Sequence, residues 1–307
     1  MVLEDVCELI ADCPHTTAPD EGKGYPLIRT PNVGKGRLLL EGVHRVSKDI
    51  YDKRNMRAIP QKDDIIFARE APAGNAALIR EGQEVCLGQR TVLIRPDCEK
   101  VFPEYLVYYL LAPEQQYKLL GTANGATVAH VNLPVIRKMP IELPDIDVQQ
   151  KIAGYISIYD DLIENNQRQI KLLEEAAQRL YKEWFVDLRF PGYEDCKIVD
   201  GVPVEWGKNK LDEIADVIMG QSPKSEFYNK EHKGLPFHQG VGSYGARFVQ
   251  DDTYSTSFTK VAEANSILFS VRAPVGRLNI TKNKIVIGRG IAAINSKSGF
   301  QSYLFYA

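Results

Sequence analysis

Three short motifs in the sequence carry residue types that could act on nucleotides. Residues 240–245 (GVGSYG) match the glycine pattern of a dinucleotide-binding turn, residues 132–135 (NLPV) approach an adenine-methyltransferase loop, and residues 96–100 (PDCEK) carry the charges of a nuclease signature. Each lacks a part that its chemistry needs. These parts are an apolar helix after the glycines, a second proline with a stacking aromatic, and a wider spacing of the carboxylates. The sequence therefore predicts no catalytic residues and indicates no cofactor.

The cysteines and the composition narrow the class of protein. Five cysteines, at positions 7, 13, 86, 98 and 196, form no Cys-x-x-Cys pair, so we expect neither a bound metal nor a disulfide framework. The 307 residues, 44% of them hydrophobic, suffice for two cores of ordinary size in a soluble protein. Because no apolar run approaches the roughly 20 residues of a membrane span and no secretion signal opens the chain, we expect a cytoplasmic protein.

Two regions carry a surplus of positive charge, although the formal net charge of the chain is −2. Between residues 23 and 57, nine Lys or Arg stand against three acidic residues, and between residues 223 and 289, ten stand against five. Such a surplus on loops rich in Gly, Pro and Asn fits a polyanionic partner, whereas ordinary surface variation would account for either region alone. Because the surplus occurs twice, the pattern favours nucleic acid.

These regions lie in two copies of one sequence. Residues 67–78 (FAREAPAGNAAL) match residues 269–280 (FSVRAPVGRLNI), and four further matches keep the same order. The further matches pair residues 3–6 with 211–214, 24–27 with 234–237, 85–88 with 285–288, and 105–108 with 303–306. An ordered set of matches with a slowly drifting offset indicates a duplicated domain. The shared Ala-Pro-x-Gly is either a structural turn, which the pattern favours, or a DNA contact, and Gly88 and Gly288 are predicted to be structural.

Between the copies lies a heptad pattern, an alternation of four and three residues that predicts a coiled-coil helix of about 38 residues and roughly 57 Å. Its seam is predicted at Ile152, Ile156, Tyr159, Ile163, Asn166, Ile170, Leu173, Ala177, Leu180 and Trp184. Asn166 either sets the register with a partner or is a local compromise in a partly hydrated seam. The charged residues between seam positions are predicted to form an exposed face: Asp160, Asp161, Glu164, Arg168, Lys171, Glu174, Glu175, Arg179 and Lys182.

The order of repeat, long helix and repeat resembles the specificity (S) subunit of type I restriction-modification systems. The resemblance also rests on short sequence motifs. These are residues 143–144 (LP) followed by 149–153 (QQKIA), the helix end at 180–187 (LYKEWFVD), and residues 201–206 (GVPVEW) leading into Leu211. It covers essentially the whole chain. The alternative hypotheses are a coiled-coil assembly protein, against which the basic bias argues, and a DNA-binding half-subunit without a restriction role.

The resemblance implies an α+β fold and a non-catalytic subunit that binds double-stranded DNA. A first target-recognition domain at residues 1–143, a helical spacer at 144–190 and an incomplete second domain at 191–307 are expected. Each domain would bind one half of a split target. The spacer would set their separation and hold methyltransferase (M) subunits, and the restriction (R) subunit would join through the complex.

The resemblance also implies a partner for the heptad seam. In the family, the spacer pairs with an antiparallel helix that follows the second domain, and no counterpart occurs in these 307 residues. Three routes could cover the seam: a longer gene product, a separate half-subunit, or self-association through the spacer. We expect the first of these, a C-terminally truncated chain.

Within the recognition domains, strands are expected at residues 64–68, 84–87 and 91–94, and a helix at 103–111 that continues to about residue 120. Base contacts are expected on variable loops, because Arg and Lys can pair with guanine, and Asn and Gln with adenine. The predicted DNA-binding residues are Asn32, Lys35, Arg37, Arg45, Lys53 and Arg54 in the first copy, and Lys224, His238, Gln239, Arg247 and Lys260 in the second.

Overall fold

The computed structural model describes residues 1–121 and 130–307, which form two compact units, Met1–Gln167 and Arg168–Ala307. The described helices are α1 (Lys48–Arg54), α2 (Pro103–Leu111), α3 (Pro113–Gly121), α4 (Leu133–Arg137), α5 (Ile146–Tyr181), α6 (Leu211–Ile214) and α7 (Gln301–Tyr306). Strands in the first unit are β1 (Cys7–Asp12), β2 (Tyr25–Ile28), β3 (Gly36–Arg37), β4 (Arg45–Val46), β5 (Ile65–Ala68), β6 (Ala76–Leu78), β7 (Cys86–Leu87) and β8 (Thr91–Pro96). Strands in the second unit are β9 (Ile198–Val199), β10 (Val202–Pro203), β11 (Ala215–Met219), β12 (Tyr228–Asn229), β13 (Leu235–His238), β14 (Tyr254–Ser255), β15 (Val261–Ala262), β16 (Ile267–Ser270), β17 (Leu278–Ile280), β18 (Ile285–Ile287) and β19 (Ile291–Ser296).

The first unit is built on a five-stranded sheet of order β1-β8-β5-β6-β3 and a three-stranded sheet of order β4-β2-β7. All four residues of the central strand β5 are buried. Because side chains alternate across a strand, Ile65 and Phe67 pack with α2 on one face, while Ile66 and Ala68 pack on the other. The three predicted strands of this copy are confirmed, within one or two residues at each end.

The helix predicted to continue from residue 103 to about 120 is interrupted. It forms α2 and α3, with Ala112 between them in an extended conformation (φ −60°, ψ 140°). Residue 113 is a proline, whose ring disfavours the helical conformation of the residue before it. The prediction of one continuous helix is therefore wrong, and the signal that contradicts it was present in the sequence.

The second unit repeats the first sheet order as β11-β19-β16-β17, and its other sheet, β12-β14-β13-β18-β15, contains the counterpart of β4-β2-β7. The Ala-Pro-x-Gly turn closes identically in both copies: Gly74 N donates to Ala68 O and Gly276 N to Ser270 O, each at 2.9 Å. Both Ala-Pro bonds are cis. The predicted duplication is confirmed, and the shared turn has the same structural role in both copies.

The long helix α5 runs for 36 residues, about 54 Å, and a π-helical turn at Lys182–Val186 follows it. Its predicted seam is largely exposed; Ile163, Ile170 and Leu173, for example, are 54%, 55% and 70% exposed. The long spacer helix between two recognition domains is thus confirmed. No helix in the described part of the chain is long and apolar enough to span a membrane.

The charged face of α5 is largely exposed, as predicted, and several of its carboxylates also have partners. Asp160 accepts a hydrogen bond from Tyr108, and Asp161 and Glu164 form ion pairs with Arg37. Glu174 pairs with Arg247 in the second unit. The prediction of an exposed face is confirmed for Asp161 and Glu164, whose side chains are 64% and 55% exposed. The donors that reach these carboxylates come from residues distant in sequence, so the heptad pattern did not indicate them.

Candidate nucleic-acid interface

In each copy, two parallel strands end side by side. Strands β2 and β7 pair with Ile28 opposite Leu87, and strands β13 and β18 pair with His238 opposite Ile287. The loops that follow are joined by one hydrogen bond, from Gly88 N to Ile28 O (2.7 Å) or from Gly288 N to His238 O (2.8 Å). The carboxyl ends of parallel strands are a common place for binding sites in α/β folds. The side chains at these ends are therefore candidates for binding DNA.

Glycine is required where the two loops meet. A Cβ atom on Gly88 would lie 2.7 Å from Ile28 O, and one on Gly288 would lie 3.0 Å from the Gln239 Cα. Real Cβ atoms do not approach backbone oxygen so closely, so a side chain at Gly88 would separate the loops. This close approach gives the physical reason for the structural role predicted for both glycines.

In the first copy, the strand ends gather a group of polar and basic side chains from three separate segments. Arg57 Nη1 donates to Asp12 O at 3.0 Å, and Gln89 Nε2 donates to His15 O at 3.1 Å. Arg90 pairs with Glu70 at 3.0 Å and has a left-handed backbone, with φ 63°. We call this group the first strand-end cluster: Arg29, Arg57, Gln89 and Arg90.

Two features of the first strand-end cluster suggest a binding role. Arg29 Nε is buried and has no hydrogen-bond partner among the described residues. The left-handed backbone of Arg90 is unusual for a residue with a Cβ, and such conformations occur often at functional sites. Arg57 and Arg90 are exposed, so their guanidinium groups can approach a ligand.

The second copy gathers different side chains at the same place. Gln221 N donates to Ile287 O at 2.9 Å, and Ile287 N donates to Lys260 O at 2.9 Å, so both residues adjoin the end of β18. Gln239 follows β13, and Arg289 follows Gly288. The second strand-end cluster comprises these exposed residues: Gln221, Gln239, Lys260 and Arg289. Gln, Lys and Arg are side chains that bind base edges and phosphates.

The predicted DNA-binding residues divide into four groups. Gln239 and Lys260 lie in the second strand-end cluster, while Lys35, Lys53 and Lys224 are exposed elsewhere and Arg45 donates to Gly24 O at 2.8 Å. Arg37 and Arg247 contact α5. The remaining three, Asn32, Arg54 and His238, are buried.

The buried residues already have hydrogen-bond partners. Asn32 donates to Leu39 O at 3.3 Å, and Arg54 donates to Leu87 O at 2.9 Å. Burial lowers the pKa of Arg54. His238 hydrogen-bonds to Ser243 Oγ at 2.7 Å and to Asp251 Oδ1 at 2.9 Å. Burial lowers the pKa of His238, and Asp251 opposes that shift. In this conformation the three side chains support the loops and do not face a ligand.

Sequence reasoning missed most of the strand-end residues. The matched segments at 85–88 and 285–288 end on the residue just before Gln89 and Arg289, so the repeat itself indicated where variable residues begin. The convergence of the separate segments had no sequence signal. Among the described residues, no group of His, Cys, Asp and Glu could hold a metal ion.

The model of the type I restriction modification DNA specificity domain matches residues 1–175 and 203–307. The chain belongs to this family. A protein named as the MjaX specificity subunit of a type I restriction enzyme, from Methanocaldococcus jannaschii, is 31% identical over 302 residues, covering 96% of this chain and 71% of that protein. The MjaIX specificity subunit of the same organism is 26% identical, covering 86% of this chain and 63% of that protein.

The fold agrees with a solved structure of the same family. The type I restriction-modification S subunit from M. genitalium superposes with a TM-score of 0.60 at 16% identity, over 100% of this chain and 75% of that chain. The specificity subunit therefore has the predicted α+β architecture of two similar domains and a long helix. It confers DNA sequence specificity and is not itself catalytic.

Proposed function

We propose that this specificity subunit binds a split DNA target, and that each strand-end cluster contacts one half of it. One observation carries the proposal. Both copies have the same pair of parallel strand ends, but the side chains that follow these ends differ between the copies. Arg29 and Gln89 in the first copy correspond to Gln239 and Arg289 in the second. Because Arg favours guanine and Gln favours adenine, the two halves of the target would differ in sequence.

Catalysis would come from other subunits. Methyltransferase and restriction subunits would assemble on the chain, and double-stranded DNA would be bound by the complex in the cytoplasm. The exposed residues Lys35, Lys53 and Lys224 remain proposed DNA contacts. Phosphate is their expected partner, because they are long, flexible lysine side chains outside the two strand-end clusters. The predicted boundaries at residues 143 and 190 remain predictions.

The heptad seam would be covered by a second apolar helix in the assembled protein. Burial of one large apolar side chain contributes about 1.5 to 3 kcal/mol, and Ile163, Ile170 and Leu173 are each more than half exposed. A longer chain, a half-subunit or a second copy could supply that helix. Light scattering on the chain tests the self-association route. A dimer supports self-association, and a monomer that binds a half-subunit excludes self-association.

The direct test removes two positive charges from the second strand-end cluster. Lys260→Ala with Arg289→Ala, assembled with the methyltransferase subunits, should weaken binding to the target by at least about 1 kcal/mol. If both residues contact phosphate, the slope of log affinity against log salt should also fall by about 2. The target is obtained by sequencing methylated positions in cells that carry the system.

The matched control changes the same charge at the opposite ends of the same strands. Lys233 precedes β13 and Lys284 precedes β18. Lys233→Ala with Lys284→Ala should leave affinity and salt slope nearly unchanged. Equal effects of the two double variants would refute the assignment of the strand ends, and an assembled complex without sequence preference would favour the assembly-protein alternative.

A further inference from the structure

In the first unit, the side of α5 that packs on the recognition domain makes several polar contacts in addition to the apolar contact of Ala153. Near its start, Gln149 and Ala153 are buried, and Gln149 Oε1 accepts a hydrogen bond from Phe102 N at 2.9 Å. Further along the same side lie the carboxylates of Asp160, Asp161 and Glu164. The domain is therefore attached to this part of the helix by directional polar contacts, which define one position better than a smooth apolar contact does.

Arg37 makes the central contact. Its Nη2 lies 2.5 Å from Asp161 Oδ1, and its Nη1 contacts Glu164. Asp161 and Glu164 are three residues apart on the helix, so they lie on neighbouring turns of one face and bracket a single guanidinium. The Arg37 side chain is only 17% exposed, although it lies on a two-residue strand. Its charge is thus directed at the helix.

Two further donors reach the same part of the helix. Arg80 Nη1 lies 3.7 Å from Asp161 Oδ1, and the Tyr108 hydroxyl donates to Asp160 Oδ2 at 2.9 Å. Burial, together with this hydrogen bond, raises the pKa of Tyr108, so the hydroxyl keeps its proton at neutral pH. We call the set the helix clamp: Arg37, Arg80 and Tyr108 with Asp160, Asp161 and Glu164.

The second unit has an arginine with the same role on the equivalent turn. Gly34 N donates to Arg37 O in the first copy, and Gly245 N donates to Phe248 O in the second, one residue after Arg247. Arg247 Nη1 lies 2.8 Å from Glu174 Oε1, and its guanidinium carbon lies 5.1 Å from the centre of the Phe305 ring. Each copy therefore directs an arginine from this turn to α5.

We propose that Arg37 and Arg247 are positioning residues that fix each recognition domain on the spacer helix and thereby set the number of base pairs between the two halves of the target. The inference rests on the proposed split target. Neighbouring base pairs are only about 3.4 Å apart, so a domain that slides or tilts by a few ångströms accepts a spacing that is wrong by one pair. Arginines held by carboxylates restrict that movement, so their proposed role is to hold the domain and not to recognise a base.

The experiment sequences methylated positions in cells that carry the full system with Arg37→Ala. The two half-target sequences should remain those of the wild type. Methylation should extend to targets whose spacer is one base pair longer or shorter, with the preference for the wild-type spacing reduced about three- to tenfold. Lys35→Ala is the matched contrast, since Lys35 is exposed two residues away. It should lower the extent of methylation without any change in accepted spacing.

The helix side offers a second variant if Arg37→Ala does not fold. Asp161→Asn with Glu164→Gln removes the two carboxylates at positions whose side chains are 64% and 55% exposed, and should relax the spacing in the same way. Retained spacing in both variants, or altered bases in a half-target of Arg37→Ala, would overturn the inference. A wild-type system that methylates no split target would instead refute the proposed function.

Discussion

Leu3 and Val6 in the first copy correspond to Leu211 and Ile214 in the second, and their surroundings differ greatly. Leu3 is fully buried and Val6 is 2% exposed, whereas Leu211 is 48% and Ile214 39% exposed. These residues lie in the short helical turns that immediately precede β1 and β11. The residue types are nearly the same, so the difference comes from what covers them.

In the first copy, these turns and one face of the sheet are covered by α2 and by residues that follow it. Leu119, Ile136, Met139 and Ile141 all join the cluster, and Met139 O accepts a hydrogen bond from Leu3 N at 2.9 Å. In the second copy, the helix that follows the last strand of the described chain is α7, and none of its residues is buried. The sequence of these turns therefore determines that their side chains are apolar, but not whether other segments cover them.

The opposite face of the sheet is alike in the two copies. Ile66 and Leu87 pack there in the first copy, as Leu268 and Ile287 do in the second. This face is completed by the strands β2, β7 and their loops, which both copies contain. The strand-end clusters belong to this shared part. The comparison thus separates a face that both copies cover with the same strands from one that α2, Leu119 and residues 136–141 cover in the first copy.

The largest effect should come from equivalent Leu→Ala substitutions in α2 and α7, the helices that follow β8 and β19. Leu106 in α2 is fully buried, and its counterpart Leu304 in α7 is only partly buried. Leu106→Ala should lower the unfolding free energy of the first unit by about 2 to 5 kcal/mol, and Leu304→Ala should lower that of the second by less than about 1 kcal/mol. Hydrogen exchange of β1 and β11 peptides measures each unit separately, and similar losses would refute the comparison.

Gly24 and Gly234, which immediately precede β2 and β13, should respond alike to substitution. Gly24 has φ 98° and Gly234 has φ 86°, and an added Cβ would lie 2.2 Å from Val46 O or 2.1 Å from Ser255 O. Gly24→Ala and Gly234→Ala should each destabilise their unit by more than about 1 kcal/mol. The same exchange measurement applies. Tolerance in one copy alone would show that the shared strands are not equivalent.

The smallest effect concerns pH. His238 occupies the place of Ile28, and burial lowers the pKa of His238 below its usual value of 6.5. The unfolded chain therefore binds a proton at His238 more readily than the folded chain does, so the free energy of unfolding decreases as pH falls below about 6.5. The loss is at most about 1.4 kcal/mol per pH unit.

The matched variant is His238→Ile, which gives the second copy the residue of the first. Thermal unfolding between pH 7 and pH 5 should show a smaller loss of stability in this variant than in the wild type. Ser243 and Asp251, the partners of His238, are not buried and can bind water instead. An unchanged pH dependence would assign it to other groups.

Several features of the subunit were determined by sequence alone, because they are local or periodic. The duplication follows from ordered matches, the long helix from its heptad period, and the strands from short apolar runs between turns. The Ala-Pro-x-Gly turn and the glycine at position 88 depend on backbone geometry, which few residue types permit. Even the interruption between α2 and α3 was encoded locally, by Pro113.

Which charged side chains are exposed and which are paired or buried depends on the tertiary structure. Arg37 and Asp161 are 124 residues apart in sequence, and no local pattern relates them. Arg54 and His238 are polar loop residues by sequence, yet strands that pack around them bury both. The strand-end clusters likewise join segments brought together by parallel pairing. Charge and residue type are properties of a position, but availability to DNA depends on the neighbours that folding provides.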